Sequence, residues 1–141
     1  MIPGPDGTAE CHLLFVYRTL RRGFELHHHL AHLGAKFRAE ARVAAELIDR
    51  GRYPGARPAN RKGKWVRGEL FQLRHPVRDL RVLDEVEGFI PAAPPRGEFV
   101  RAAAEVILNN GARRRAWIYW RGGTQVHGGF TWIVWKTERR T

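Results

Sequence analysis

Few residues in this chain can do chemistry, and the gaps narrow the choice. There is no serine at any position, which rules out a Ser-His-Asp nucleophile. Cys11 is the only cysteine and His12 follows it directly. On a strand, adjacent side chains leave opposite faces, which separates the thiol from its base. No glycine-rich phosphate loop of the Walker or dinucleotide type occurs. The histidines gather at His27, His28, His29 and His32, and His28 and His32 stand one helical turn apart, as two ligands of a metal would. A polar helix face is the stronger reading, so no metal is assigned. What remains is acid–base chemistry by a carboxylate. The run Leu83-Asp84-Glu85-Val86-Glu87-Gly88 supplies three acids. If Leu80, Leu83 and Val86 face a core, Glu87 lies beside that seam in the last helical turn. The negative end of the helix dipole there disfavours ionisation, and partial burial adds to the effect, as a general acid–base requires. The competing reading places Asp84, Glu85 and Glu87 on a wet face. Residue types and spacing leave the two open.

The elements that would position these acids follow from periodicity. Leu13 to Tyr17 is an unbroken apolar run, which reads as a buried strand, and the polar stretch to Gly23 reads as the place where it emerges. Ends of buried strands are where backbone N–H groups converge on ligands, so Tyr17 to Leu20 is either a substrate-holding loop or a solvated turn. Spacing alone favours the turn. Leu26, Leu30 and Leu33 predict a helix over 24–33, with Gly34 as its cap. Residues 37–47 alternate, with Phe37, Ala39, Ala41, Val43, Ala45 and Leu47 on one face, and predict a long strand. Residues 50–60 read as a turn-rich connection around Tyr53-Pro54-Gly55. Residues 64–73 alternate again, and Gly68 marks a bulge or a close backbone approach. Pro76 opens a helix through Val77, Leu80, Leu83 and Val86 that Gly88 stops. Residues 89–97, rich in proline, form an extended loop. Strands over 99–108 and 116–120 are joined through Asn110-Gly111, and 130–135 forms a last strand.

With 141 residues the chain fits one domain, and a sizeable core can be buried. Apolar residues make up 43% and charged ones 28%, a globular balance. No apolar run is long enough for a transmembrane helix, and Met1 to Glu10 lacks the basic and apolar regions of a signal peptide. We expect a flexible segment over 1–10, a domain over 11–136, a basic tail over 137–141, and a cytoplasmic location by default. The net charge of +11 invites an anionic partner, nucleic acid included. The arginines are dispersed rather than clustered, so a nucleic-acid partner is the weaker reading. The sum is one mixed α/β domain, mostly antiparallel, with two helices.

The order of motifs resembles the γ-glutamylcyclotransferase-like family, with its AIG2-like and BtrG-like members. Leu14 to Gly23 is similar to that family's phenylalanine-valine-tyrosine-glycine-threonine-leucine strand and loop. Tyr53-Pro54-Gly55 is similar to its mid-chain turn, and Val66 to Phe71 to its valine-x-glycine-glutamate strand. Leu83 to Gly88 matches the leucine-aspartate-x-x-glutamate-glycine signature. Phe99-Val100-Arg101 stands at its tyrosine-x-arginine, and Ala116 to Tyr119 at its closing strand. The resemblance implies a single α+β domain, a small mixed, mostly antiparallel, barrel-like β-sheet with two or more flanking helices. It implies cyclisation of a γ-glutamyl amide to 5-oxoproline with release of an amine or amino acid, with no cofactor and no metal. Glu87 would be the catalytic acid–base. Tyr17, Arg18, Thr19, Leu20 and Tyr119 would bind a small γ-glutamyl substrate, with the backbone amides of 17–20 holding a carboxylate or developing oxyanion. Two positions depart from the pattern: Arg18 replaces a glycine, and Phe99 replaces a tyrosine. They keep a second reading in play, a family member that binds a small carboxylate or amine without turning it over.

Overall fold

Strand β1 (Leu13–Val16) is apolar on both faces because it is covered on both. In the computed structural model, which describes residues 11–17, 23, 27–48, 55–59, 62–93 and 96–122, Phe15 and Tyr17 turn into one buried cluster and Leu14 and Val16 into another. The first cluster fills a barrel. The second is the layer between the barrel wall and two helices, α1 (His27–His32) and α2 (Pro76–Glu87). The same division runs along β6 (Arg113–Arg121), where Ala116, Ile118 and Trp120 point inward while Trp117 and Tyr119 point toward the helices.

The strands are completed by β2 (Lys36–Ile48), β3 (Gly55–Pro58), β4 (Trp65–Gln72) and β5 (Phe99–Leu108). Their order is β3-β2-β4-β1-β6-β5, and a β2–β5 pairing closes five of them into a barrel, leaving β3 as an added strand beside β2. Every pairing is antiparallel except β1 with β6. The expected small mixed barrel-like sheet with flanking helices is the fold observed. No helix among the described residues is long and apolar enough to cross a membrane.

Two local features carry physical reasons. Gly68 sits where a side chain has no room: an added Cβ would collide with the Val16 carbonyl oxygen and lie 2.7 Å from the Phe15 ring. The expected close approach is real, while the bulge lies elsewhere, between Phe37 and Ala39 of β2. Phe37 pairs with Phe71 and Ala39 with Leu70, so the bulge turns Phe37 onto the outer wall, 37% exposed and edge-on to Phe71 at 5.7 Å. Leu47, read as inward, is 60% exposed. Strand β3 lies inside the stretch read only as turns. The β5–β6 hairpin turns through Asn109–Ala112, with Gly111 at φ 90 and Asn110 Oδ1 accepting from the Ala112 N–H at 2.9 Å. The expected strand over 130–135, the N-terminal ten residues and the basic tail lie outside the described residues.

Candidate active site

The site is built on the last turn of α2. That helix starts at Pro76, with the His75 backbone N–H donating to Asp79 Oδ2 at 2.8 Å. It ends at Gly88, whose φ of 74 is the left-handed conformation favoured by glycine. The N–H groups of Gly88 and Phe89 return to the carbonyls of Glu85 and Asp84 at 3.3 and 2.8 Å, which closes the helix end. Leu80 and Leu83 bury the core face as expected, but Val77 does not, at 56% exposed. The buried stripe continues instead through Asp84 and Glu87, each only 5% exposed. Steps of three and four from Leu80 reach both. Glu85 is exposed. The question left open by the spacing is thereby answered: two of the three acids lie on the covered face.

Asp84 is met by two side chains from the barrel. Arg101 on β5 and Tyr119 on β6 are direct cross-strand partners, so they stand side by side on the wall beneath α2. Arg101 grips the carboxylate with a fork, Nε donating to Oδ1 at 2.7 Å and Nη2 to Oδ2 at 3.1 Å. The Tyr119 hydroxyl donates to the same Oδ1 at 2.7 Å. The guanidinium is flanked by Trp117 at 4.6 Å and Phe89 at 5.5 Å from the ring centroids. A buried carboxylate is tolerated here because it is both charge-paired and fully hydrogen-bonded. Burial first, and then the charge and hydrogen bond of Asp84, push the Tyr119 phenol well above its ordinary 10.0. Arg101 opposes that push, and the nearby charge of Glu87 adds to it. Tyr119 is therefore a neutral donor across the physiological range, and Glu87 is close enough for its charge to act on the phenol.

The Tyr17 hydroxyl is committed within the barrel. It donates to the Tyr119 carbonyl oxygen at 2.7 Å and accepts from the Ala56 N–H at 3.0 Å, tying the end of β1 to β6 and β3. Phe99 is buried, its ring lying 2.7 Å from where a Cβ on Gly55 would be, so that glycine lets β3 cross it. Of the residues expected to bind substrate, the Tyr17 hydroxyl is thus bonded to the main chain of Tyr119 and Ala56, and the Tyr119 hydroxyl to Asp84. Arg18, Thr19 and Leu20 lie outside the described residues. Among the described residues no group of three histidine, cysteine or carboxylate side chains is placed to hold a metal.

The roles of Asp84 and Arg101 were not read from spacing, although both signals were present. Asp84 is one helical turn from Leu80 and next to Leu83, and Arg101 is a lone cation between Phe99 and Ala103 on an apolar strand face. A cation in such a place asks for a buried partner.

The family described as gamma-glutamyl cyclotransferase, AIG2-like, matches residues 14–133 of the chain. Among solved structures, an AIG2-like protein from Mus musculus is 24% identical, with a TM-score of 0.63 over 79% of this chain and 78% of that one. An uncharacterized protein from Pyrococcus horikoshii is 25% identical, with a TM-score of 0.51 over 78% and 77%. A protein called gamma-glutamyl cyclotransferase is 19% identical, with a TM-score of 0.56 over 77% and 65%. None of the curated proteins matches the sequence.

Proposed function

The chain belongs to the gamma-glutamyl cyclotransferase, AIG2-like family, and we propose that it is an enzyme cyclising γ-glutamyl amides to 5-oxoproline, with Glu87 as general acid–base. The observation that carries this reading is the buried placement of Glu87 at the end of α2, beside a carboxylate already neutralised by Arg101. Glu87 stands one helical turn beyond Asp84 on the buried stripe, and in this reading it is the group that exchanges protons with the substrate.

In the proposed reaction Glu87 takes a proton from the substrate α-ammonium. The freed amine attacks its own γ-carbonyl carbon, and a C–N bond closes a five-membered ring. The carbonyl oxygen becomes an oxyanion, held by main-chain N–H groups of the 17–20 segment. Glu87 then delivers a proton to the departing nitrogen as the original amide C–N bond breaks. Two protons leave the attacking nitrogen in all and two arrive on the departing one, so Glu87 ends as it began. Both reacting groups belong to one molecule, so orientation and proton transfer are the main demands. Tyr17 contributes through its main chain, since its hydroxyl is bonded to Tyr119 and Ala56. Tyr119 acts through Asp84, by fixing the helix turn that carries Glu87.

A ligand-binding role without turnover is the second reading, favoured by Phe99, which lacks the hydroxyl of the family's tyrosine. Incubating the protein with a panel of γ-glutamyl amino acids and amines and measuring 5-oxoproline separates the two. Release of 5-oxoproline from any member supports the enzyme. Calorimetric binding without release supports the second reading.

A further inference from the structure

On the part of the barrel wall that the helices leave uncovered, β5, β2 and β4 run side by side. Their pairing sets Ile107, Arg42 and Arg67 in one outward row. In the next row stand Glu40 and Glu69, with Asn109 joined to this row by its N–H to the Glu40 carbonyl at 3.0 Å. Between the rows is an open groove of about 250 Å³, floored by the backbone of Ala41 and Gly68. Arg101 and Ile107 are six residues apart on β5, which puts roughly 20 Å between this groove and the Asp84 cluster.

The charges are arranged in a way that folding alone does not reward. Arginine faces arginine and glutamate faces glutamate, and like charges directly opposite cost roughly 0.2–1 kcal/mol per pair. Exchanging one arginine with one glutamate would give two direct ion pairs. Instead, among the described residues, Glu40, Arg42 and Arg67 make no ion pair or side-chain hydrogen bond. Arg42 is held by Trp65, its guanidinium 4.8 Å above the ring, which fixes a cation at the groove's edge.

We propose that this groove binds a small zwitterion, a free amino acid, with its carboxylate between Arg42 and Arg67 and its ammonium toward Glu40. A simple anion would meet the Glu40 carboxylate, and a simple cation would meet two guanidinium groups; a molecule carrying both charges satisfies both rows. Ile107 offers the one apolar wall for a side chain, and Asn109 a neutral donor and acceptor. The volume lies below the roughly 300–1,000 Å³ of sites for drug-sized ligands, which suits a molecule of amino-acid size.

The test is a nuclear magnetic resonance titration of the full chain with L-alanine and L-leucine, and separately with acetate, methylammonium and inorganic phosphate. Saturable shifts of the Ala41, Gly68 and Asn109 amides are expected with the amino acids and not with the single-charge probes. Glu40→Gln and Arg67→Gln each remove one charge-assisted contact, so each should weaken binding about tenfold or more. Glu87→Gln should leave these shifts in place, so failure here and failure of the cyclisation reading are told apart. No shift with either amino acid, an equal response to acetate or phosphate, or undiminished binding in both groove variants each overturns the proposal.

Discussion

Asp84 accepts three hydrogen bonds from two side chains, and both donors lose their partner if it changes. Asp84→Asn leaves Arg101 with no buried anion, and breaking a buried pair costs about 3–5 kcal/mol. Denaturant unfolding should show a loss of that size. Tyr119→Phe is milder, because Arg101 keeps its fork on Asp84, and one hydrogen bond to a charged group is worth about 1.5–3 kcal/mol. The phenol also gives a pH signature. Its folded pKa lies well above 10.0, so in alkali the unfolded chain loses a proton that the folded chain keeps. The unfolded state then binds fewer protons, and stability falls as pH rises past 10.0 toward the folded value. Tyr119→Phe removes this contribution, so its stability should fall less steeply with pH in that window. The Cys11 thiol, also pushed up by burial, is common to both proteins and cancels. Equal alkaline slopes would place the phenol elsewhere than against Asp84.

At the scale of elements, α2 was legible in its ends and not in its face. Pro76 and Gly88 mark the first helical position and the cap, as their backbone chemistry dictates. The buried stripe was not legible, because hydropathy favours Val77 and Val86 over Asp84 and Glu87. Only its partners on β5 and β6, distant in sequence, make burying Asp84 tolerable. The long strand β2 was read from its alternation, but its bulge was hidden: a single unpaired residue changes the face of Phe37 without changing composition. β3 escaped notice as four residues opening on Gly55 and ending on Pro58, both poor strand formers. Gly88 carries the clearest prediction of this scale. A Cβ there would sit 2.7 Å from the Glu98 carboxylate and on a left-handed backbone costing roughly 1–2 kcal/mol. Gly88→Ala should lower the thermal midpoint accordingly and shift the turn bearing Glu87, cutting turnover more than it raises KM.

For the molecule as a whole, closure of the barrel was beyond the reach of local periodicity. It rests on Ala41 with Leu108 and Arg42 with Ile107, residues more than sixty positions apart, and at the level of sequence only the resemblance to a family implies it. Closure buries β1 and β6 on both faces and leaves β3 paired along β2. Amide hydrogen exchange should therefore be slowest in β1 and β6 and about tenfold or more faster in β3, since local opening tracks burial. Comparable protection in β3 would mean that it belongs to the cooperative core. The barrel and helices together bury Glu87 at the end of α2, one turn from the Asp84–Arg101 pair, and the proposed chemistry depends on that carboxylate. The direct measurement is 5-oxoproline release by wild type and Glu87→Gln on the same γ-glutamyl substrate, with folding of both checked by circular dichroism. Losing a general acid–base should lower kcat by about a hundredfold or more with the fold intact. A folded Glu87→Gln protein that turns over at the wild-type rate would contradict the account.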